Sequence, residues 1–195
     1  MKSRAPHPWV ASRKGSVGLA LQVVAARSAG DRGAALLRAG LYAERHGYDG
    51  FFLGDHPAWA PDCWLHLAVI ASQTGRIRLG QMVAAAPYRN PLLTARLQSD
   101  LDRLSGGRSV LGLGIGWNAA DYGLGTNEFD RMGLPFPAVP ARQAALEEAI
   151  AIIRGAWGNE PFSMNGAYYS AAGAHIDPPI QDGGVPLIVA GGGTR

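Results

Sequence analysis

The side chains best placed to do chemistry sit where apolar runs give way to glycine-rich or polar turns. Asp55 and His56 stand together in Gly54-Asp55-His56-Pro57, with Trp59 just beyond. An acid beside an imidazole is a proton-handling pair, because histidine changes charge near neutral pH. The alternative for the same residues is a capping Asp55 and an exposed His56. Ala84, Ala85 and Ala86 precede Pro87-Tyr88-Arg89; three small side chains admit either a flat ring or tight packing. Gly112, Gly114 and Gly116 alternate before Trp117 and Asn118. Glycines alternating inside a strand mark close approach by another backbone or a ligand. Asn118 offers an amide to a heterocycle's edge, and Trp117 reads equally well as packing. Gly191, Gly192 and Gly193 precede Thr194 and Arg195, a turn whose N–H groups could cradle an anion. Cys63 is the one cysteine. It reads as a small core residue, with no metal-ligand cluster around it.

These runs share one position relative to the elements that carry them. Residues 18–25 form a continuous apolar run, as for a strand buried on both faces. A helix follows over 31–46, capped by Asp31 and ended by Gly47. Residues 48–53 are the next strand, and Asp62 caps a helix closed by Gly75. Residues 77–84 form a third strand. Asn90-Pro91 then starts a helix, cap first and proline at N1, with Leu93, Leu97, Leu101 and Leu104 marking one helix face. Residues 109–115 form a fourth strand. The irregular stretch 116–140 is long enough to be a functional loop. A helix over 142–157, a hairpin over 162–169 turning at Asn165-Gly166, and a fifth strand over 186–190 complete the reading. Strands alternating with helices predict an α/β fold with a parallel sheet, either doubly wound or closed into a barrel. In both, ligands bind at the C-terminal strand ends, which is where every run above lies.

Composition narrows the function. The chain has 195 residues, 47% apolar and 17% charged, with net charge +3, as for a soluble globular domain. Its basic residues form no stripe with interleaved aromatics, so a nucleic-acid partner is not expected. No run approaches the roughly 20 apolar residues of a membrane helix. Arg13 and Lys14 before the apolar run resemble the start of a signal peptide, but Gln22 interrupts the run and no cleavage signature follows. A cytoplasmic location is the expectation, with residues 1–16 as an irregular leader. GxSxG, Walker and HExxH motifs are lacking.

Several motifs, in order from about residue 17 to the end, resemble the luciferase-like monooxygenase family. They are Leu53-Gly-Asp-His56, Thr74-Gly-Arg-Ile-Arg-Leu-Gly80, Tyr88-Arg-Asn-Pro91 and Leu101-Asp-Arg-Leu-Ser-Gly-Gly-Arg108. Then come Leu111-Gly-Leu-Gly-Ile-Gly-Trp-Asn118, Gly133-Leu-Pro-Phe-Pro137, Leu146-Glu-Glu-Ala149, Ile152-Ile-Arg154 and Pro186-Leu-Ile-Val-Ala-Gly-Gly-Gly193. The resemblance implies a TIM-type (β/α)8 barrel with reduced FMN or the deazaflavin coenzyme F420 across its strand ends. Gly116-Trp-Asn118 and Gly133-Leu-Pro-Phe-Pro137 are closer in style to the F420 branch. The resemblance places Asp55 and His56 by the reactive ring, and a bulge with a cis peptide backing that ring at Ala84–Ala86. It places Asn118 against the ring, with Gly114 and Gly116 on the same strand, and Gly191–Gly193 at the tail or phosphate. Where some members of that branch carry a tryptophan four residues after the histidine, this chain has Ala60, with Trp59 one position earlier.

A whole barrel needs eight strands and about 250 residues; the sequence predicts five strands, hence a barrel domain over 17–195 incomplete at its C-terminus. The function implied is hydride transfer between F420 and a small organic substrate, with His56 managing the proton. The alternatives are an FMNH₂- and O₂-dependent monooxygenase, and a flavin-binding or inactive barrel fragment. A homodimer is a further expectation.

Overall fold

A computed structural model of the chain describes residues 6–24, 30–117 and 127–191. Its elements run α1 (Pro8–Ser12), β1 (Ala20–Val23), α2 (Arg32–Arg45), β2 (Gly50–Leu53), α3 (Cys63–Ala71), β3 (Arg78–Gln81) and β4 (Ala84–Ala85). They continue with α4 (Pro91–Leu104), β5 (Ser109–Gly114), α5 (Glu128–Arg131), α6 (Val139–Ala156), β6 (Phe162–Asn165), β7 (Ser170–Ala174) and β8 (Leu187–Val189).

The helix starts follow from local chemistry. The side chains of Asp31, Asp62 and Asn90 accept hydrogen bonds from the main-chain N–H groups of Ala34, Leu65 and Leu92. Each satisfies one of the donors that a helix leaves open at its first turn. Pro91 follows Asn90 at N1 with nothing to lose, since that N–H has no partner in a helix.

The strands are parallel, and their order decides between the two architectures left open by the sequence. β1 pairs with β2, β2 with β3, and β3 with β5. β4 carries on along the same side of β5, and β8 pairs on the other side. The helices α2, α3, α4 and α6 touch one another in that same sequence. A doubly wound sheet reverses its strand order at a switch point; this sheet runs in one direction under one layer of helices, which is the course of a (β/α) barrel. The core lies between helices and sheet, where Phe51, Leu67, Ile70, Leu79, Leu111, Leu113 and Ile153 are at most 2% exposed. Burying each such side chain contributes roughly 1.5–3 kcal/mol.

The structure departs from the sequence reading in four places. The leader carries a short helix, α1, whose first turn is capped by the His7 ring accepting from Trp9 N–H. The third strand breaks at a cis peptide between Met82 and Val83, just ahead of the alanines expected to hold it. The hairpin extends to Ala174, because its return strand starts only at Ser170.

The leucines of α4 also do not share one environment. Leu93 and Leu104 are 61% exposed and Leu97 is on the surface, while Thr94, Gln98, Ser99 and Asp102 are buried with Leu101. The polar face is inside because it anchors the segment leading to β8. The Ser99 hydroxyl donates to the Asp177 carbonyl, and Asp102 accepts from the Ile180 and Gln181 N–H groups at 2.8 and 3.1 Å. No helix among the described residues is long and apolar enough to cross a membrane.

Candidate functional site

The C-terminal ends of β1, β2, β3, β4, β5 and β8 surround a cavity of about 710 Å³. That is within the usual range of small-molecule sites. Its walls include Gln22, Asp55, His56, Met82, Val83, Ala85, Tyr88, Gly114, Gly116, Trp117, Arg142 and Gly191. So most of the predicted site residues that are described meet in one place. Ala84 and Ala86 do not: both are buried in the packing between sheet and helices, and only Ala85 of the three faces the cavity. Asn118, Gly192 and Gly193 lie outside the described residues.

The alternating glycines of β5 are explained by their neighbours. A Cβ at Gly112 would stand 2.1 Å from the Gln81 carbonyl oxygen, and one at Gly114 would stand 2.8 Å from Val83. β5 therefore lies hard against the end of β3 and the Val83 side chain, and only hydrogen fits between them. Gly116 has φ +76°, and a Cβ there would be 2.5 Å from the Phe129 ring. Its backbone conformation is open to glycine and strained for other residues. Gln22, which interrupts the apolar run of β1, donates to the Met82 carbonyl at 2.5 Å.

Asp55 and His56 do not pair with each other. Asp55 is buried and accepts two hydrogen bonds from the Arg89 guanidinium, at 2.5 and 2.9 Å, with the Cys63 thiol 3.7 Å away. Arg89 also lies 4.5 Å above the centre of the Trp64 ring. Burial pushes the Asp55 carboxyl upward against the opposing Arg89 contact. Burial likewise works against the charge on Arg89, but the Asp55 carboxylate outweighs it and raises the guanidinium's pKa. The Cys63 thiol is pushed up by burial and by Asp55, so it is an inert core residue. The expected proton-handling pair is thus split, and Asp55 is tied into an ion pair with Arg89.

His56 has a different partner, one that the sequence reading missed. Its Nδ1 lies 3.0 Å from Oε2 of Glu128, the first residue of α5. The same oxygen accepts from the Tyr88 hydroxyl at 3.0 Å, and Oε1 accepts from the Ala58 N–H at 3.0 Å. Burial raises the pKa of the Glu128 carboxyl, but the bonds from His56, Ala58 and Tyr88 outweigh it, and the net shift is downward. Burial and the Glu128 charge push the Tyr88 phenol up, keeping it a donor. The His56 ring is stacked on Trp59, with centroids 4.1 Å apart, and Trp117 meets it edge-on at 6.3 Å. The sequence held one signal for α5. Asn127 before Glu128-Phe129 is a cap-then-acid start, and its side chain does accept from the Phe129 N–H.

Arg142 braces the far wall. Its guanidinium donates to the carbonyls of Pro137, Ile115 and Gly116 and lies 3.9 Å above the Phe136 ring centre.

A family model described as luciferase-like monooxygenase matches residues 16–195. The chain belongs to this family. Among curated relatives it is 33% identical over 160 residues to the F420-dependent glucose-6-phosphate dehydrogenase of Intrasporangium calvum, covering 77% of this chain and 46% of that protein. It is 36% identical over 167 residues to the enzyme of the same name from Beutenbergia cavernae, covering 81% and 47%. The chain thus spans about half the length of the curated relatives it matches. Of solved structures, the coenzyme F420-dependent tetrahydromethanopterin reductase of Methanopyrus kandleri superposes with a TM-score of 0.75 at 25% identity, covering 91% of this chain and 51% of that one. The FMN-bound oxygenating constituent of 3,6-diketocamphane monooxygenase from Pseudomonas putida superposes at 0.68 and 21% identity, covering 90% and 52%. The strand order and these superpositions agree on a TIM-type barrel, of which the described residues of this luciferase-like chain carry five strands, with β3 and β4 counted as one broken strand.

The cavity suits the flat ring of such a cofactor. One wall runs from Met82 and Val83 to Ala85, beside Gly114 of β5. The side chains of Val83 and Ala85 are small and Gly114 has none, so a flat ring can lie close to this wall. At the far end a Cβ on Gly191 would meet nothing within 4 Å, leaving space for a substituent.

Proposed function

We propose that this chain is the cofactor-binding part of an F420-dependent oxidoreductase that moves a hydride between the deazaflavin and a small organic substrate. The observation that carries the reading is the buried His56–Glu128 pair on the wall of the strand-end cavity, on a scaffold whose curated relatives are named for F420. The deazaflavin supplies two-electron hydride chemistry when bound. Met82, Val83, Ala85 and Gly114 would back its ring, and Gly191 would adjoin its tail, continued by Gly192 and Gly193. Asn118 is assigned to the ring's edge, on the family resemblance. His56 holds or gives up the substrate's proton. Asp55, through Arg89, fixes the turn on which His56 stands.

An FMNH₂-dependent oxygenation is the second reading, favoured by the superposition on an FMN-bound monooxygenase. Turnover assays with each reduced cofactor, with oxygen uptake followed, separate the two. F420-dependent product formation without oxygen consumption is expected; oxygen-dependent product with FMNH₂ alone would overturn the deazaflavin reading. His56→Ala should spare cofactor binding and lower turnover by about 10²–10⁴, the usual contribution of a positioned acid or base. A buried, unpaired Cys63 is consistent with a reducing cytoplasm. Exposed Leu65 and Val69 on α3 with Leu93 and Leu97 on α4 support a second copy as the macromolecular partner.

A further inference from the structure

We infer that Glu128 is a positioning residue for His56, fixing the imidazole as an Nδ1–H donor so that Nε2 is left as the proton acceptor. This rests on the proposed role of His56 and follows from hydrogen-bond polarity. An ionised carboxylate only accepts hydrogen bonds. Glu128 already receives one from the Ala58 N–H and one from the Tyr88 hydroxyl, and its third contact is Nδ1 of His56. Nδ1 must therefore carry the hydrogen, and in the neutral ring the lone pair then falls on Nε2. Among the described residues Nε2 has no hydrogen-bond partner.

The ring's orientation is held by its neighbours. Trp59 covers one face and Trp117 approaches edge-on. Gly54 makes room for the far edge: a Cβ there would stand 3.0 Å from Cδ2 and 3.2 Å from Nε2. The side chains of His56 and Glu128 are only 13% and 5% exposed, so little water competes for the bond. A carboxylate that holds the distal nitrogen of a working histidine sets its tautomer and offsets the charge it acquires.

A bound oxidised deazaflavin would supply the hydride acceptor for a substrate alcohol, whose C–H and O–H bonds are replaced by the second carbonyl bond; this chain's own part would be to take the hydroxyl proton on Nε2. Glu128 then faces an imidazolium. The arrangement also ties the working base to the segment between β5 and α6. Glu128 is held there by Phe129, which is 0% exposed and packs 4.6 Å from the rings of both Tyr88 and Phe136.

Nitrogen-15 NMR of the histidine ring in the cofactor-free chain tests this, with the His56 signals assigned by their loss in His56→Asn. The wild type and Tyr88→Phe should show the Nδ1–H tautomer. Glu128→Gln should lose that preference, because its amide can donate to Nδ1, and the hydrogen should move toward Nε2. An Nε2–H ring in the wild type, or an unchanged Nδ1–H ring in folded Glu128→Gln, overturns the inference. If Glu128→Gln does not fold, the wild-type tautomer still decides. In turnover, Glu128→Gln should lower kcat about 10–100-fold with KM changed less than about threefold, as for other lost orienting partners. Failure of the chain to bind F420 would sink the proposed function while leaving the tautomer result intact, so the two failures are distinguishable.

Discussion

At the two ends of the strands, ionisable side chains are satisfied in different ways. At the N-terminal ends they bind main chain. Glu44 accepts from the N–H groups of Gly75, Arg76 and Ile77. Asp102 accepts from the Ser109, Ile180 and Gln181 N–H groups and from the Gln181 amide. Arg108 donates to the carbonyls of Ala71, Thr74, Ile77 and Ser105. At the C-terminal ends Asp55 binds Arg89 and Glu128 binds His56, side chain to side chain beside an open cavity, while Arg142 donates to main-chain carbonyls. A charge fixed to main chain cannot change partners without unfolding an element. A charge fixed to another side chain can gain or lose a proton while the backbone stays put. The first end is built for rigidity and the second can do chemistry.

Substitutions at the two ends should therefore differ in kind. The largest stability loss should come from Asp102→Ala, which strands several buried donors at once; at 1–3 kcal/mol for a buried unsatisfied group, partly relieved by relaxation, about 4 kcal/mol is expected from urea unfolding. Gly112→Ala should cost about 3 kcal/mol by overpacking against the Gln81 carbonyl, seen as a fall in Tm.

Arg89→Met should cost about 2 kcal/mol at neutral pH, less than the 3–5 typical of a broken buried pair, because Asp55 can take up a proton. The sign follows from the upward direction of the Asp55 pKa. A buried carboxyl with a raised folded pKa is destabilising when ionised, so the deficit should shrink as pH falls through that value. A deficit unchanged between neutral and acid pH would show that Asp55 stays charged without Arg89.

The smallest effect on stability, about 1 kcal/mol, should be that of Glu128→Gln. The folded pKa of Glu128 is depressed. Its contribution is thus present above the ordinary value and lost as pH falls through the folded one, so variant and wild type should converge in acid. If Glu128→Gln cost as much as Asp102→Ala, the contrast between the two ends would fail.

The parts legible from sequence were those decided by neighbours in the chain. Asp31, Asp62 and Asn90 cap helices through residues two or three positions on, so the strand and helix rhythm could be read. The placement of Asp55 and His56 at a strand end could also be read, but their partners could not. Arg89 and Glu128 come from 34 and 72 residues away, and Glu128 lies in a stretch with no periodicity. The leucine stripe on α4 does not mark the buried face, which only Leu101 of the four shares. Asp102 and Ser99 are inside because a segment some 78 residues later needs their oxygens. The glycines of β5 pointed correctly to a close approach, but only the fold shows that it is the chain around Gln81 and Val83, with Phe129 at Gly116, that fills the space.

Fluorescence titration of F420 with the purified chain tests the central claim most directly, alongside an Ala85→Phe variant whose ring would fill the strand-end cavity. Saturable one-to-one binding is expected for the wild type, lost in Ala85→Phe with its circular dichroism spectrum unchanged. No binding by the folded wild type, or equal binding by both, would contradict the assignment of this cavity to a deazaflavin.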